Sequence, residues 1–347
     1  MKIYAIILAL ISAALFGAAT PASKALLQNF SPFQLAGILY LGGVFGSLPM
    51  LINDYRKKTL TKVRDLKKKN ILFLIGAIFF GGILGPVFLL FGLHLASASS
   101  VSIWLNLEMA ATAILGYFLF KDHLEINQWI SIIGITLAGI ILTIGEDASG
   151  IQAGLFVALA CLCWGADNHL ASLVDGISPA QSTFWKSLIA GSFNLLIGLL
   201  TQPFTASFKT LVIALLVGAF SYGISIVLHI AASQQIGATR VQMIFSTAPF
   251  FGIALSTAFL KESLSLTQIS SALILLVSLF VLFKGKHEHE HNHEFMEHNH
   301  MHRHDDGHHN HTHPGQPNSL RHSHDHQHEP ITHNHGHLPD IHHRHEH

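Results

Sequence analysis

Charged residues are scarce in this chain: they make up 12% of its 347 residues, against 50% hydrophobic residues. A soluble domain needs a charged surface, so this shortage excludes a water-soluble fold for most of the chain and indicates lipid as its solvent. The mean hydropathy of +0.44 agrees. The average hides two regions. Every long apolar run lies before residue 287, and residues 287–347 hold all but four of the 27 histidines.

Cysteine is nearly absent as well, with two residues, Cys161 and Cys163, in one apolar run. Their spacing and depth exclude a disulfide framework. Small packing groups are the favoured interpretation, and a soft-metal site is the alternative. The sequence also lacks a Walker phosphate loop and a dinucleotide-binding fingerprint, so it gives no support to an enzyme.

Ten apolar windows are each long enough, at about 20 residues, to cross a bilayer as a helix. The runs are too continuous for barrel strands, which alternate. The sequence therefore predicts an all-α membrane protein with ten transmembrane helices. The first window imitates a signal peptide, but we expect it to be retained because a later segment repeats it. The windows are 3–23, 33–52, 71–93, 97–120, 128–145, 151–173, 181–201, 208–233, 239–260 and 264–283.

Short motifs recur along the chain and reveal an internal repeat. Five helices per repeat is an odd number, so the second copy must lie inverted in the membrane. Inverted repeats with a site between them are typical of secondary transporters. We expect a first repeat over 1–146, a second over 147–286 and a tail over 287–347. The recurring motifs are Phe16-Gly17 with Trp164-Gly165, Ser31-Pro32 with Ser178-Pro179, and Lys121-Asp122 with Lys261-Glu262.

Basic residues set the expected orientation. Segment 53–70 carries eight Lys and Arg residues, and such clusters stay in the cytoplasm. With ten spans, both termini are then cytoplasmic. The expected location is the cytoplasmic (inner or plasma) membrane.

These motifs, with Phe120-Lys121-Asp122 and Leu260-Lys261-Glu262 at the paired helix ends, resemble the EamA-type branch of the drug/metabolite transporter superfamily. The resemblance covers residues 3–284. It implies ten helices, inverted repeats and export of small metabolites or drugs. It names no substrate. The chain departs from the family where Lys121-Asp122 and Lys261-Glu262 replace the frequent Gly-Glu, and around Leu39, where the family often has an arginine.

Ionisable residues inside the predicted spans are the candidates for function, because a charge at the bilayer centre costs about 2.5–3.5 kcal/mol. Glu108, Asp167 and Lys186 each occur in one repeat only, which marks them as site-specific additions. Asp167 and Lys186 could neutralise each other as a structural ion pair. Glu108 has no obvious mate, so we expect it to bind substrate or carry a proton.

Neighbours of these residues complete the expected substrate or proton site. Trp104 lies four residues before Glu108 and so should share its helix face, whereas Asn106 should face away and pack between helices. Asn168 is a weaker candidate. His94 and His229 are interpreted as core or interfacial histidines.

The tail alternates histidine with polar or acidic residues and has too few apolar residues to fold, which predicts a disordered cytoplasmic arm. Alternate side chains of an extended chain share a side, so imidazole pairs could bind Zn, Ni or Co. The apparent metalloprotease pattern at 289–293 arises by chance in such a histidine-dense segment. The expected metal ligands are His287, His289, His291, His293, His342, His343, His345 and His347.

Three functions remain open from the sequence. The first is a secondary transporter, and specifically an exporter, of small organic solutes that needs no cofactor. The second is a transporter of transition metals or metal chelates that uses the tail to bind or sense metal. The third, which the repeat disfavours, is a membrane-tethered metal buffer. Expected partners are a small-molecule substrate and membrane lipid, with a homodimer as an open alternative. No nucleic acid is expected.

Overall fold

The computed structural model describes most of the chain in stretches separated by short gaps, and it contains ten apolar helices within them. The described residues are 2–57, 60–61, 63, 66–120, 124–174, 176–236, 241, 244–284, 288–293, 296–302, 322–328 and 331–336. The helices are α1 (Ile3–Leu26), α2 (Pro32–Arg56), α3 (Lys68–Leu95), α4 (Ala98–Leu119), α5 (Ile126–Ile144), α6 (Ala148–Ala171), α7 (Pro179–Thr201), α8 (Phe208–Ala232), α9 (Ala248–Phe259) and α10 (Leu266–Leu282).

The first eight helices are each long and apolar enough to cross a membrane, while α9 and α10 are shorter apolar helices. Large apolar side chains such as Phe118, Leu200 and Phe280 are exposed on the outside of the bundle. An outer surface of this kind matches hydrocarbon rather than water. The structure therefore has the architecture of an integral membrane protein with about ten helices, as the sequence predicts.

The two five-helix repeats share two irregular features. A π-helical segment interrupts α3 at Ile78–Leu84 and α8 at Ala219–Ile224. A break interrupts α4 at Leu105 and Asn106, and a turn at Ser246 and Thr247 precedes α9. Such irregular backbone is tolerated at membrane depth only where protein or a polar cavity surrounds it. Both features therefore mark positions at which the repeats meet.

Helices α2 and α7 form the antiparallel centre of the bundle. A Cβ added to Gly37 would lie 2.4 Å from the backbone nitrogen of Leu195, so the helices are in backbone contact. Gln34 donates from Nε2 to the carbonyl of Gln202 at 2.9 Å. Its repeat partner Gln181 donates in the same way to the carbonyl of Thr61 at the opposite end of the pair. The central pair is thus tied at both ends.

Side chains satisfy helix ends at the predicted outer end of the bundle, Glu262 between the two repeats and Lys24 within the first. Glu262 accepts hydrogen bonds from the backbone N–H groups of Ala98 and Ser99, both at 2.9 Å, at the start of α4. Lys24 donates to the carbonyls of Leu93 at 2.8 Å and Ala96 at 2.7 Å, at the end of α3. Helix termini expose such unpaired groups, and the charges here match the helix dipoles. These bonds hold the helices together at this end of the bundle.

The tail contains four strands described by their backbone. Glu288–His293 pairs antiparallel with Ile331–Gly336, and Met296–His302 pairs antiparallel with His322–His328. The sequence predicts a disordered arm instead. The difference has a physical source, because alternating histidine matches the two-residue period of a strand. An isolated two-stranded ladder is marginally stable at best in water. Disorder of the isolated tail therefore stays a prediction.

Candidate functional site

A small cavity lies where α1 meets the two helix breaks. Its volume is about 30 Å³, enough for roughly two water molecules. Asn106 and Glu108 line it from α4, and Ser246 lines it beside the start of α9. Phe16 and Phe245 supply aromatic walls. The cavity therefore contacts both inverted repeats at the irregular point of each.

The recurring Phe-Gly and Trp-Gly motifs explain how the helices approach so closely. A Cβ added to Gly17 would lie 2.2 Å from the carbonyl oxygen of Ala248, in the first turn of α9. A Cβ added to Gly165 would lie 3.0 Å from the backbone nitrogen of Thr112 in α4. Each glycine thus lets its helix contact the half-helix of the other repeat. The motif has a structural role that positions the cavity.

Glu108 lies in the first turn of the half-helix Leu107–Leu115. The positive end of the helix dipole stabilises a carboxylate at this position. Its Oε1 accepts a hydrogen bond from Nδ2 of Asn168 at 3.1 Å, and the same amide donates to Oγ1 of Thr112 at 3.2 Å. Among the described residues no cation forms an ion pair with Glu108. The structure thus places Glu108 and Asn168 in one hydrogen-bonded group, next to the cavity.

Asn106 is located differently from the sequence expectation. It is the N-cap residue of the same half-helix but makes no capping bond. Its side chain is buried, at 3% exposure, and within the described part of the chain neither Oδ1 nor Nδ2 has a partner. Continuous helical spacing predicts Asn106 on the face opposite Glu108. The helix break ends that spacing, so both residues line the cavity.

Trp104, unlike Asn106, lies away from the cavity. It is fully buried, and its indole Nε1 donates to Oγ1 of Thr143 at 3.0 Å. It is not among the residues that line the cavity. Glu108 thus lines the cavity without Trp104, and the helix break lies between the two residues. Binding of substrate by Trp104 itself stays a prediction.

Asp167 and Lys186 form a buried ion pair between α6 and α7, in which Nζ donates to Oδ2. Their side chains are 9% and 16% exposed. Oδ1 of Asp167 has no partner among the described residues. The sequence-based suggestion that these two residues neutralise each other is confirmed as a contact.

The π-helical segment of α3 accommodates this pair. A Cβ on Gly81 would lie 2.1 Å from Oδ2 of Asp167, so only glycine fits. The irregular backbone also frees the Gly81 carbonyl, which accepts hydrogen bonds from the Tyr40 hydroxyl at 2.5 Å and from Trp164 Nε1 at 3.0 Å. Glu108, Asp167 and Lys186 lie close enough to interact electrostatically. When all three are ionised, the group carries one net negative charge.

The remaining candidate residues pack within or at the end of the bundle, are described by backbone alone, or fall outside the described residues. The Cys161 thiol donates to the carbonyl of Trp104 at 3.7 Å, in a packing role. His229 packs edge-on against Phe245 with ring centroids 4.8 Å apart, and His94 is exposed at the end of α3. In the described residues no group of three or more His, Cys, Asp or Glu could hold a metal. Of the proposed tail ligands, His289, His291 and His293 are described by backbone alone, and the others fall outside the described residues: His287, His342, His343, His345 and His347.

The sequence contains a signal for the cavity residues Asn106 and Ser246 that helical spacing within one repeat does not show. Leu105-Asn106-Leu107-Glu108 and Phe245-Ser246-Thr247-Ala248 occupy matching positions in the two repeats. Each places a polar side chain at the same point of an apolar run. A polar residue at one repeat position in both halves predicts a shared feature, which here is the helix break.

Comparison with known proteins gives three similarities. The EamA-like transporter family model matches the chain twice, at residues 3–145 and 152–284. A protein named an uncharacterized transporter, from Methanothermobacter thermautotrophicus strain Delta H, is 25% identical over 284 residues, which covers 77% of this chain and 82% of the relative. A solved crystal structure superposes with a TM-score of 0.61 at 14% identity, covering 81% of this chain and 97% of that one. The last similarity supports the fold alone.

Proposed function

Because the chain belongs to the EamA-like transporter family, we propose that this membrane transporter exports small organic solutes across the cytoplasmic membrane by alternating access. The observation that carries the proposal is the cavity between the paired helix breaks. A site enclosed by both inverted repeats can open to either side when the two halves exchange their conformations. Discontinuous helices supply the polar groups that bind a solute at such a site.

The hydrogen bonds at the predicted outer end support the same mechanism. Glu262, in the loop before α10, binds two N–H groups at the start of α4, and Lys24 binds the end of α3. These contacts join different helices across one end of the bundle, whereas the central pair α2 and α7 is tied at both ends. Opening of the outer end therefore requires loss of the Glu262 and Lys24 contacts while the central pair stays together. We propose these contacts as the outer gate.

Glu108 is the proposed coupling residue. It has a single described side-chain partner, the amide of Asn168, which can bond the charged or the protonated carboxyl. A carboxyl enclosed by protein at membrane depth can exchange a proton for a cationic solute during one cycle. The buried pair of Asp167 and Lys186 holds the neighbouring helices together and lies beside this exchange.

The alternative in which metal ions are the cargo is not favoured by the described core. A metal path requires several His, Cys, Asp or Glu ligands that converge. Within the described ranges no group of three such residues exists. The histidine-rich tail therefore enters the proposal as an additional metal-binding arm and not as the path of transport.

The test compares cells that lack the gene with cells that express the chain or its Glu108→Gln variant. Mass spectrometry of medium and cytosol should find solutes whose efflux depends on the chain, and Glu108→Gln should reduce that efflux at least tenfold at normal expression. Glu346→Gln is the matched control, because it makes the same change in the tail and should transport normally. The proposal is wrong if no solute changes its distribution, or if metal accumulation is the only difference.

A further inference from the structure

The amide of Asn106 is a polar group of the cavity for which the described residues supply no hydrogen-bond partner. Asparagine at an N-cap position ordinarily bonds the backbone of its own helix. Asn106 occupies that position without a capping bond, is 3% exposed, and has no described partner for either polar atom. An unpaired buried amide is destabilising unless something satisfies it. Its place in the wall of the cavity indicates that a ligand or water does so.

The charge of the cavity restricts which ligand can fill it. Glu108 brings a carboxylate that the first turn of its half-helix stabilises. Lys186, the nearby cation, is already paired with Asp167. An anionic ligand would thus meet an uncompensated carboxylate, while a cationic ligand would neutralise it. The positive end of the half-helix dipole stabilises the Glu108 carboxylate itself, so it does not compensate the charge of an anionic ligand.

We propose that Asn106 and Glu108 together bind a small protonated amine that carries a hydrogen-bond acceptor close to its nitrogen. The proposal rests on the transport function above and names the chemical class of its substrate. The Glu108 carboxylate and Oδ1 of Asn106 accept hydrogen bonds from the ammonium group, and Nδ2 of Asn106 donates to the neighbouring hydroxyl or carbonyl oxygen. The aromatic walls, Phe16 and Phe245, contact the carbon body of the ligand.

The size of the cavity requires the surrounding helices to separate before an amine can bind. About 30 Å³ holds water but no organic amine. Water therefore satisfies Asn106 in the closed state, and the amine replaces this water when the helices around the cavity separate. The close contact of Gly17 with Ala248 is where α1 and α9 must part.

The test measures binding to the purified full-length chain in lipid nanodiscs with three matched probes. Leucinol carries an amine and a hydroxyl, 3-methylbutylamine lacks the hydroxymethyl group of leucinol, and 4-methylpentanoate carries a carboxylate in place of the amine of 3-methylbutylamine. We expect leucinol to bind more tightly than 3-methylbutylamine and 4-methylpentanoate not to bind. Asn106→Leu should raise the Kd of leucinol at least tenfold, about 1.4 kcal/mol, and that of 3-methylbutylamine less. Asn127→Leu is the control, because it removes an amide outside the cavity.

Thermal unfolding of the same variants separates binding from packing. Asn106→Leu should leave the Tm unchanged or raise it, because leucine removes a buried amide that no described protein group bonds. A lowered Tm with unchanged binding would mean that Asn106 packs between helices and would overturn the inference. So would tight binding of 4-methylpentanoate, a Kd unchanged in Asn106→Leu, or no binding of either amine. If one of these results accompanies intact chain-dependent efflux, the transport proposal survives and the amine class is wrong.

Discussion

Replacement of Asp167 by asparagine is the most informative perturbation of the bundle core. Asparagine keeps the shape of aspartate but removes its charge, which leaves the ammonium of Lys186 without its partner. The reverse change, Lys186→Met, leaves the carboxylate of Asp167 unpaired beside Gly81. Each single change leaves one buried charge without a partner, and the double change removes both charges. The three variants therefore measure the interaction of the two residues by a double-mutant cycle.

The burial of the two side chains sets the expected magnitude. Loss of one partner of a buried pair costs about 3–5 kcal/mol, because the other charge stays desolvated. Asp167 is 9% exposed and Lys186 is 16% exposed, so Lys186 can recover some hydration. We expect Asp167→Asn to fall at the lower end, about 3 kcal/mol. We expect Lys186→Met to cost more, because Oδ1 of Asp167 already lacks a described partner. The double variant should regain at least about 2 kcal/mol over the sum of the single losses.

The assay is reversible unfolding of the purified chain in detergent micelles, followed by the fraction folded at each denaturant concentration. Asp147→Asn and Lys209→Met supply the control cycle. Asn caps a helix as well as Asp does, Lys209 is exposed, and the two lie on separate segments, so their effects should add. If the single effects of Asp167 and Lys186 also add to within about 0.5 kcal/mol, the pair does not stabilise the fold and the argument fails.

Three further predictions concern the glycine beside the ion pair, the outer contacts and the histidine-rich tail. Gly81→Ala should lower the free energy of unfolding by more than about 2 kcal/mol, by analogy with overpacked cores. The control Gly139→Ala should lower it less, because the added Cβ meets only a leucine methyl at 3.2 Å. Equal unfolding midpoints for the two variants would contradict this prediction. Glu262→Gln should weaken the outer contacts and so speed the labelling of a Thr20→Cys variant by a membrane-impermeant maleimide. An unchanged labelling rate would refute the proposed outer gate. Residues 287–347 should bind several Zn²⁺ ions at pH 7.5. The ions should be released as pH falls through about 6.5, because imidazole must be unprotonated to bind metal. Identical Zn²⁺ titrations of the full chain and of a chain ending at residue 286 would exclude binding by the tail.

The sequence by itself determined the class of protein, the helices and the repeat. A bilayer requires every spanning backbone to be satisfied internally, so apolar windows of sufficient length identify helices without knowledge of their neighbours. The odd number of helices in each repeat fixed the inversion by counting. Glu108, Asp167 and Lys186 were found as candidates because a charge in an apolar run is costly wherever its partner lies.

Tertiary structure alone decided which of these groups meet and where the helices break. Helical spacing groups Trp104 with Glu108 and excludes Asn106, but around the break at Leu105 and Asn106 it is Asn106 that lines the cavity with Glu108. The half-helix that follows the break packs against the other repeat, as in the contact of Gly165 with Thr112, which no local pattern encodes. The same holds for the space beside Gly81 that admits Asp167. Local periodicity describes a regular helix, whereas a binding site forms where packing between distant segments makes the helix irregular.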